Sequence, residues 1–230
     1  MGYGTIAEFI ESSRVLIQNG RGIPALSAAL AAYGYSDFRF AEGTTLWAQA
    51  DALVRKQALE YGEQHAATAD AEQARAEVET VYMKTLKVAR VALADENLAG
   101  TTLKLYGPRK ETLKNYIDQA VTFYANCLDP RFEQKMLVYG YTPQKLKAEA
   151  ALVENLRVKL AIQAKESGEA KAATVERDRK LAELDTWVSN LRAIARVAFY
   201  ETPQNLEQLG IPTLSNPRPK KVPTAQPAAK

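Results

Sequence analysis

Apolar side chains recur at helical spacing along most of the chain, and glycine- or proline-marked breaks separate the stretches that keep it. Residues 5–19 put Ile6, Phe9, Ile10, Ser13, Leu16 and Ile17 near one face, which predicts a first helix ended by Gly20-Arg21-Gly22. Pro24 suits the first turn of a second helix, running to about Ala32. Tyr33-Gly34-Tyr35-Ser36 then reads as a corner. Gly34 can take the left-handed conformation that ends a helix, Tyr35 can pack back on the helix just left, and Ser36 can cap the next one. From 37 to about 61, Phe40, Leu46, Trp47, Ala50, Leu53, Val54 and Tyr61 mark an apolar side. From about 68 to 94, Val78, Val81, Tyr82, Leu86, Ala89, Ala92 and Leu93 do the same, with a polar, alanine-rich stretch after Gly62 between the two.

The pattern then repeats. Tyr139-Gly140-Tyr141-Thr142 follows Tyr33-Gly34-Tyr35-Ser36 at an offset of 106, and the offset also aligns Gly62-Glu63 with Gly168-Glu169 and Ala89-Arg90-Val91-Ala92 with Ala195-Arg196-Val197-Ala198. The chain is an internal duplication. A helix at about 110–126, with Leu113, Tyr116, Ile117, Ala120, Phe123 and Tyr124, answers the first helix at offset 107, and Pro130 answers Pro24. The expected fold is all-α, one helical domain over 1–212 made of two repeats, 1–107 and 108–212. If Gly62 and Gly168 stop their helices, each repeat holds a hairpin of two arms of roughly 25 residues, ~38 Å each, and the four arms form a four-helix bundle. This is the expectation preferred here, because helices beyond about 25 residues are uncommon in globular proteins. The alternative is two continuous helices of roughly 60 residues, coiled-coil-like, since some apolar positions keep a seven-residue phase through the middle. From 213 to 230, Pro217, Pro219, Pro223 and Pro227 interrupt a stretch with few apolar residues, which predicts a flexible tail.

Composition changes this picture little. Hydrophobic content of 47% and charged content of 25% are ordinary for a globular protein. The net charge is +3, but Arg218, Lys220, Lys221 and Lys230 put four positive charges in the tail and leave the body near −1. Nucleic-acid binding wants a basic face, so only Arg218, Lys220 and Lys221 offer a weak handle for it. The single cysteine, Cys127, excludes an intrachain disulfide and fits a reducing, cytoplasmic setting. No secretory signal is expected from the opening residues, and no apolar run approaches the 18 or so residues of a membrane span.

The candidate chemistry is sparse. His65 is the only histidine, so a His/Cys metal site and a Ser-His-Asp set both lack members. Cys127 reads as a small buried hydrophobe. Acids recur in both copies at Glu60/Glu166, Glu63/Glu169, Asp70/Glu176, Glu77/Glu183, Glu79/Asp185 and Asp95/Glu201. Such pairs can bind a hard cation or move protons, but a charged outer face on two similar helices is the reading preferred here. Glu77 and Glu183 stand out because they abut the apolar stripe. Arg90 and Arg196 stand out more, each in the most apolar part of its helix, where a guanidinium must find a carboxylate, reach water or clamp an anion. The aromatics at the corners read as core. No catalytic set and no cofactor site emerges. The expected function is a non-enzymatic scaffold or protein–protein interaction module, self-associating or binding a protein partner. The alternative is a small-molecule or anion binder built on Arg90, Arg196, Glu77 and Glu183.

Overall fold

The computed structural model describes residues 4–109 and 112–213, and among these the chain is helical throughout, with no strand. The elements are α1 (Ile6–Gly22), α2 (Pro24–Ala31), α3 (Asp37–Ala92), α4 (Ala99–Thr102), α5 (Leu113–Cys127), α6 (Pro130–Val138), α7 (Pro143–Ala198) and α8 (Gln204–Gln208). Apart from Thr213, the expected tail lies outside the described residues, as do residues 110 and 111, where the helix observed as α5 was expected to begin.

The corners form as their residues require. Gly34 and Gly140 take φ of +86° and +77°. Tyr35 and Tyr141 each donate their backbone N–H to a carbonyl of the helix just ended, Leu30 and Met136, at 3.1 Å. These bonds satisfy carbonyls that a helix end would leave open. Thr142 Oγ1 accepts from the Lys145 N–H at 3.2 Å, and Ser36 Oγ does the same for Arg39 at 3.5 Å. Arg39 lies over the Tyr35 ring and Lys145 over the Tyr141 ring, at 5.0 and 3.6 Å from the centroids.

The all-α fold is as expected, and the long helices take the continuous form given as the alternative, because Gly62 and Gly168 do not end them. α3 and α7 run unbroken for 56 residues each, through Gly62 and Gly168. A helix-interior glycine costs only ~1 kcal/mol relative to alanine. Stopping there would leave backbone donors and acceptors on both sides without helical partners, and in the unbroken helices the Thr68 and Thr174 hydroxyls donate back to the Gln64 and Ala170 carbonyls instead of capping a new start. α1 ends at Gly22, within the expected Gly20-Arg21-Gly22 break. A Cβ on Gly20 would come within 2.9 Å of the Phe40 ring, so this glycine admits a neighbour.

The chain forms two compact units, residues 1–55 with 175–230, and residues 56–174. Unit 1 therefore combines α1, α2, the start of α3, the end of α7 and α8. Its core includes Leu16, Ile17, Leu26, Leu30, Phe40, Val188, Leu191 and Phe199. Trp187 of α7 lies against Gly43 of α3, where a Cβ would meet the indole at 2.4 Å. Unit 2 combines the rest of α3 with α4, α5, α6 and the start of α7. Its core includes Val78, Tyr82, Leu86, Phe123, Tyr124, Phe132, Met136 and Leu156. Each core thus takes long-helix segments from both sequence repeats.

A Cβ on Gly62 or Gly168 would meet nothing within 4 Å. Gly62→Ala and Gly168→Ala should each stabilise the protein by about 0.5–1 kcal/mol in chemical denaturation. Gly43→Ala should cost about 1–3 kcal/mol through overpacking on Trp187. A pH series tests the start of α6. The Arg131 side chain, and then its backbone N–H, hold the Asp129 carboxyl at about 2, below its ordinary 3.8. A depressed acid stabilises the fold above its ordinary value and loses that contribution as pH falls through the folded one. The melting-temperature gap between the native chain and Asp129→Asn should therefore close as pH is lowered from above 3.8 to about 2.

Candidate functional site

Four of the recurring acids come together in unit 2. Glu60 and Glu63 sit one turn apart on α3, and their counterparts Glu166 and Glu169 one turn apart on α7. They line an open groove of about 460 Å³ with Asp70, Ile162 and Lys165. Carboxylate oxygens of Glu60, Glu63 and Glu166 lie within 4.8 Å of one another, and the Glu166 side chain is only 14% exposed. Oxygen ligands at this spacing suit a hard cation. The groove already holds a positive charge, however. The Lys165 ammonium donates to Glu169 at 2.8 Å and to Glu166 at 3.0 Å, and these bonds raise its proton affinity above the usual lysine range. A metal ion would compete with Lys165 for the same oxygens.

The other singled-out residues are dispersed. Glu77 is exposed on α3 in unit 2, near Asp70 and Lys159, which pair with each other at 2.6 Å. Glu183, in unit 1, accepts from Arg179 at 2.7 Å and Lys180 at 2.6 Å, and Lys180 is the main cause of its lowered pKa. Arg90, in unit 2, donates Nε to the Leu105 carbonyl at 2.6 Å and lies 5.9 Å from the Tyr106 ring. It ties the end of α3 to the connector after α4, through a backbone carbonyl where a carboxylate was expected. Arg196, in unit 1, is exposed and near Arg192, whose pKa is lowered first by burial and then by Arg196. The two matched arginines therefore do different things.

His65 is exposed beside the Tyr61 ring. Cys127 is fully buried, and burial, reinforced by Glu149, pushes its thiol up to about 12, which keeps it protonated at neutral pH. Glu149 itself escaped the sequence reading. It is 9% exposed in the unit 2 core and accepts from Thr85 Oγ1 at 2.5 Å. The Tyr124 phenol is held protonated beside them, by burial first and by the Glu149 carboxylate second. The offset could not expose this cluster, because the counterparts of Glu149 and Thr85 are Gly43 and Leu191.

The surface carries a second recurrence. Tyr33 and Tyr139 are 48% and 50% exposed, whereas Tyr35 and Tyr141 in the same corners are 3% and 8%. The corner aromatics are thus core only in their second member. Val91 and Val197 also both face water. Leu137 and Val138, just before Tyr139, extend the exposed apolar run in unit 2.

No protein-family model matches the chain, and no curated protein and no solved structure is similar to it. No helix among the described residues is long and apolar enough to cross a membrane.

The arginine pair gives a direct measurement. Arg90→Ala should cost about 1.5–3 kcal/mol, as a charged hydrogen bond to the connector is lost. Arg196→Ala should stay within about 0.5 kcal/mol, like other surface changes. Equal effects in urea denaturation would contradict these roles.

Proposed function

We propose that the protein is a non-enzymatic helical interaction module with two equivalent contact surfaces, one on each unit. The observation that carries this reading is the matched exposure of Tyr33 and Tyr139, 48% and 50%. The repeats have diverged at most positions, yet each keeps a tyrosine facing water beside one that packs inward. The inward tyrosine meets the needs of the corner. The outward one contributes little to the core and offers a wide amphipathic face at low entropic cost, as contact tyrosines do. Val91 and Val197 add exposed apolar area to each unit, and Leu137 and Val138 add more to unit 2.

Two contact surfaces on one chain have a consequence for assembly. If each accepts another copy, growth continues past the dimer unless the geometry closes. Sedimentation over a wide concentration range should show self-association beyond the dimer. Tyr33→Ser alone should cap it near the dimer, and Tyr33→Ser with Tyr139→Ser should return it to monomer with the melting temperature unchanged. A strict monomer at high concentration, with no partner recovered in a pull-down, removes this reading.

A further inference from the structure

One end of unit 2 differs from its counterpart in unit 1 in two ways at once. At the end of α6, Leu137, Val138 and Tyr139 are consecutive and exposed, and Val138 is 81% open to water. The positions that answer Leu137 and Val138 in unit 1 hold Ala31 and Ala32. Just past the corner, Lys145 and Lys147 stand exposed in the opening turns of α7, whose first turn holds no acid. The bond from Thr85 to Glu149 lays the last turns of α3 beside them, and Lys84 and Lys87 are exposed there. None of these four lysines has an ion pair among the described residues. The counterparts of Lys84, Lys87, Lys145 and Lys147 in unit 1 are Asn190, Ala193, Arg39 and Ala41, so only one of the four positions is cationic there.

The acids at this end do not cancel the charge. Glu96 holds Lys135 at 2.7 Å and Asp129 holds Arg131 at 2.8 Å, which leaves Glu133 and Asp95 against the four lysines. Unpaired cations beside bare aliphatic side chains call for a partner that offers both anions and an apolar phase. Nucleic acid offers the anions, but a phosphate backbone gives leucine and valine nothing to enter. A partner helix docks by laying its apolar face in a groove, and a side chain as open as Val138 lines none. A bilayer with anionic headgroups meets both demands. Aliphatic side chains reach the acyl boundary, a tyrosine ring sits at headgroup level, and lysines face the acidic headgroups.

We propose that this end of unit 2 docks on an anionic lipid surface. Leu137 and Val138 insert below the headgroups, Tyr139 lies at their level, and Lys145 and Lys147 meet the acidic groups. Lys84 and Lys87 add attraction at longer range. The surface shares Tyr139 with the contact proposed above but rests on residues that unit 1 lacks, so it stands or falls separately from self-association.

Flotation of the full-length protein with lipid vesicles tests this. The protein should rise with vesicles of equal phosphatidylserine and phosphatidylcholine at low salt, and stay behind with phosphatidylcholine alone. Lys145→Ala with Lys147→Ala should lower partitioning roughly 20–30-fold, at about fivefold per lysine. Leu137→Ser with Val138→Ser should lower it roughly 100-fold, at about tenfold for each aliphatic side chain withdrawn. Tyr33→Ser should float as the native chain does, whatever its sedimentation without lipid. Circular dichroism should be the same for all variants, because the changed side chains are exposed. Absence of flotation with the mixed vesicles overturns the proposal, as does equal flotation with phosphatidylcholine alone. Flotation that survives either double variant overturns it too. Survival without Leu137 and Val138 assigns the lysines to a soluble polyanion, and survival without Lys145 and Lys147 assigns the attraction to cations elsewhere in the chain.

Discussion

The unbroken backbone of α3 through Gly62 and of α7 through Gly168 decides which residues share a core. A helix that does not turn back cannot cover its second half with its first. Both halves of each long helix carry apolar residues, so each half must be covered by other elements, because an isolated helix gains too little without packing. The start of α3 is covered in unit 1 by α1, α2 and the end of α7. The rest of α3 is covered in unit 2 by α4, α5, α6 and the start of α7. The compact units therefore cut across the two stretches that the 106-residue offset aligns.

What could be read from the sequence was local chemistry with a fixed geometric demand. Gly34 and Gly140 end their helices with positive φ, and Ser36 and Thr142 cap the next, because those residue types have few alternatives in those positions. The offset made the recurring acids visible, and four of them do converge. What could not be read depended on the other half of a contact. Gly62 and Gly168 look like Gly34 in sequence, yet a single glycine does not outweigh the helix on either side. Gly20 and Gly43 serve Phe40 and Trp187, neighbours that no local pattern names. The partner of Arg90 is a backbone carbonyl, which no residue-type search can find. Glu149 was hidden because its environment exists in one unit only.

That asymmetry has a physical meaning. At corresponding places, unit 1 seats a tryptophan on a glycine, Trp187 on Gly43, while unit 2 buries Thr85, Glu149 and Tyr124. A buried polar set costs stability unless its members satisfy one another. Glu149 would have no partner like Thr85 in unit 1, where Leu191 takes that position, and Trp187 leaves no room for its side chain at Gly43. The two sets of short helices stand at matching sequence offsets and could otherwise compete for the same long-helix segments. Interiors this different penalise the exchange, which is a known use of polar groups in specifying one packing over another.

The surface diverges less than the interior at one place, and that contrast supports an interaction role more than any single side chain does. Interiors that diverge must do so in concert, since each change has to be met by its neighbours. An exposed side chain has no such constraint and is the easier one to lose. Tyr33 and Tyr139 nevertheless are both tyrosine, next to glycines that hold the same left-handed turn and to inward rings that each carry an overlying cation, Arg39 in one corner and Lys145 in the other. The same hydrogen-bonded corner sets the backbone beneath each exposed ring. A tyrosine side chain has only two rotatable bonds to fix, so it loses little freedom on contact, which is the property the proposed role calls for.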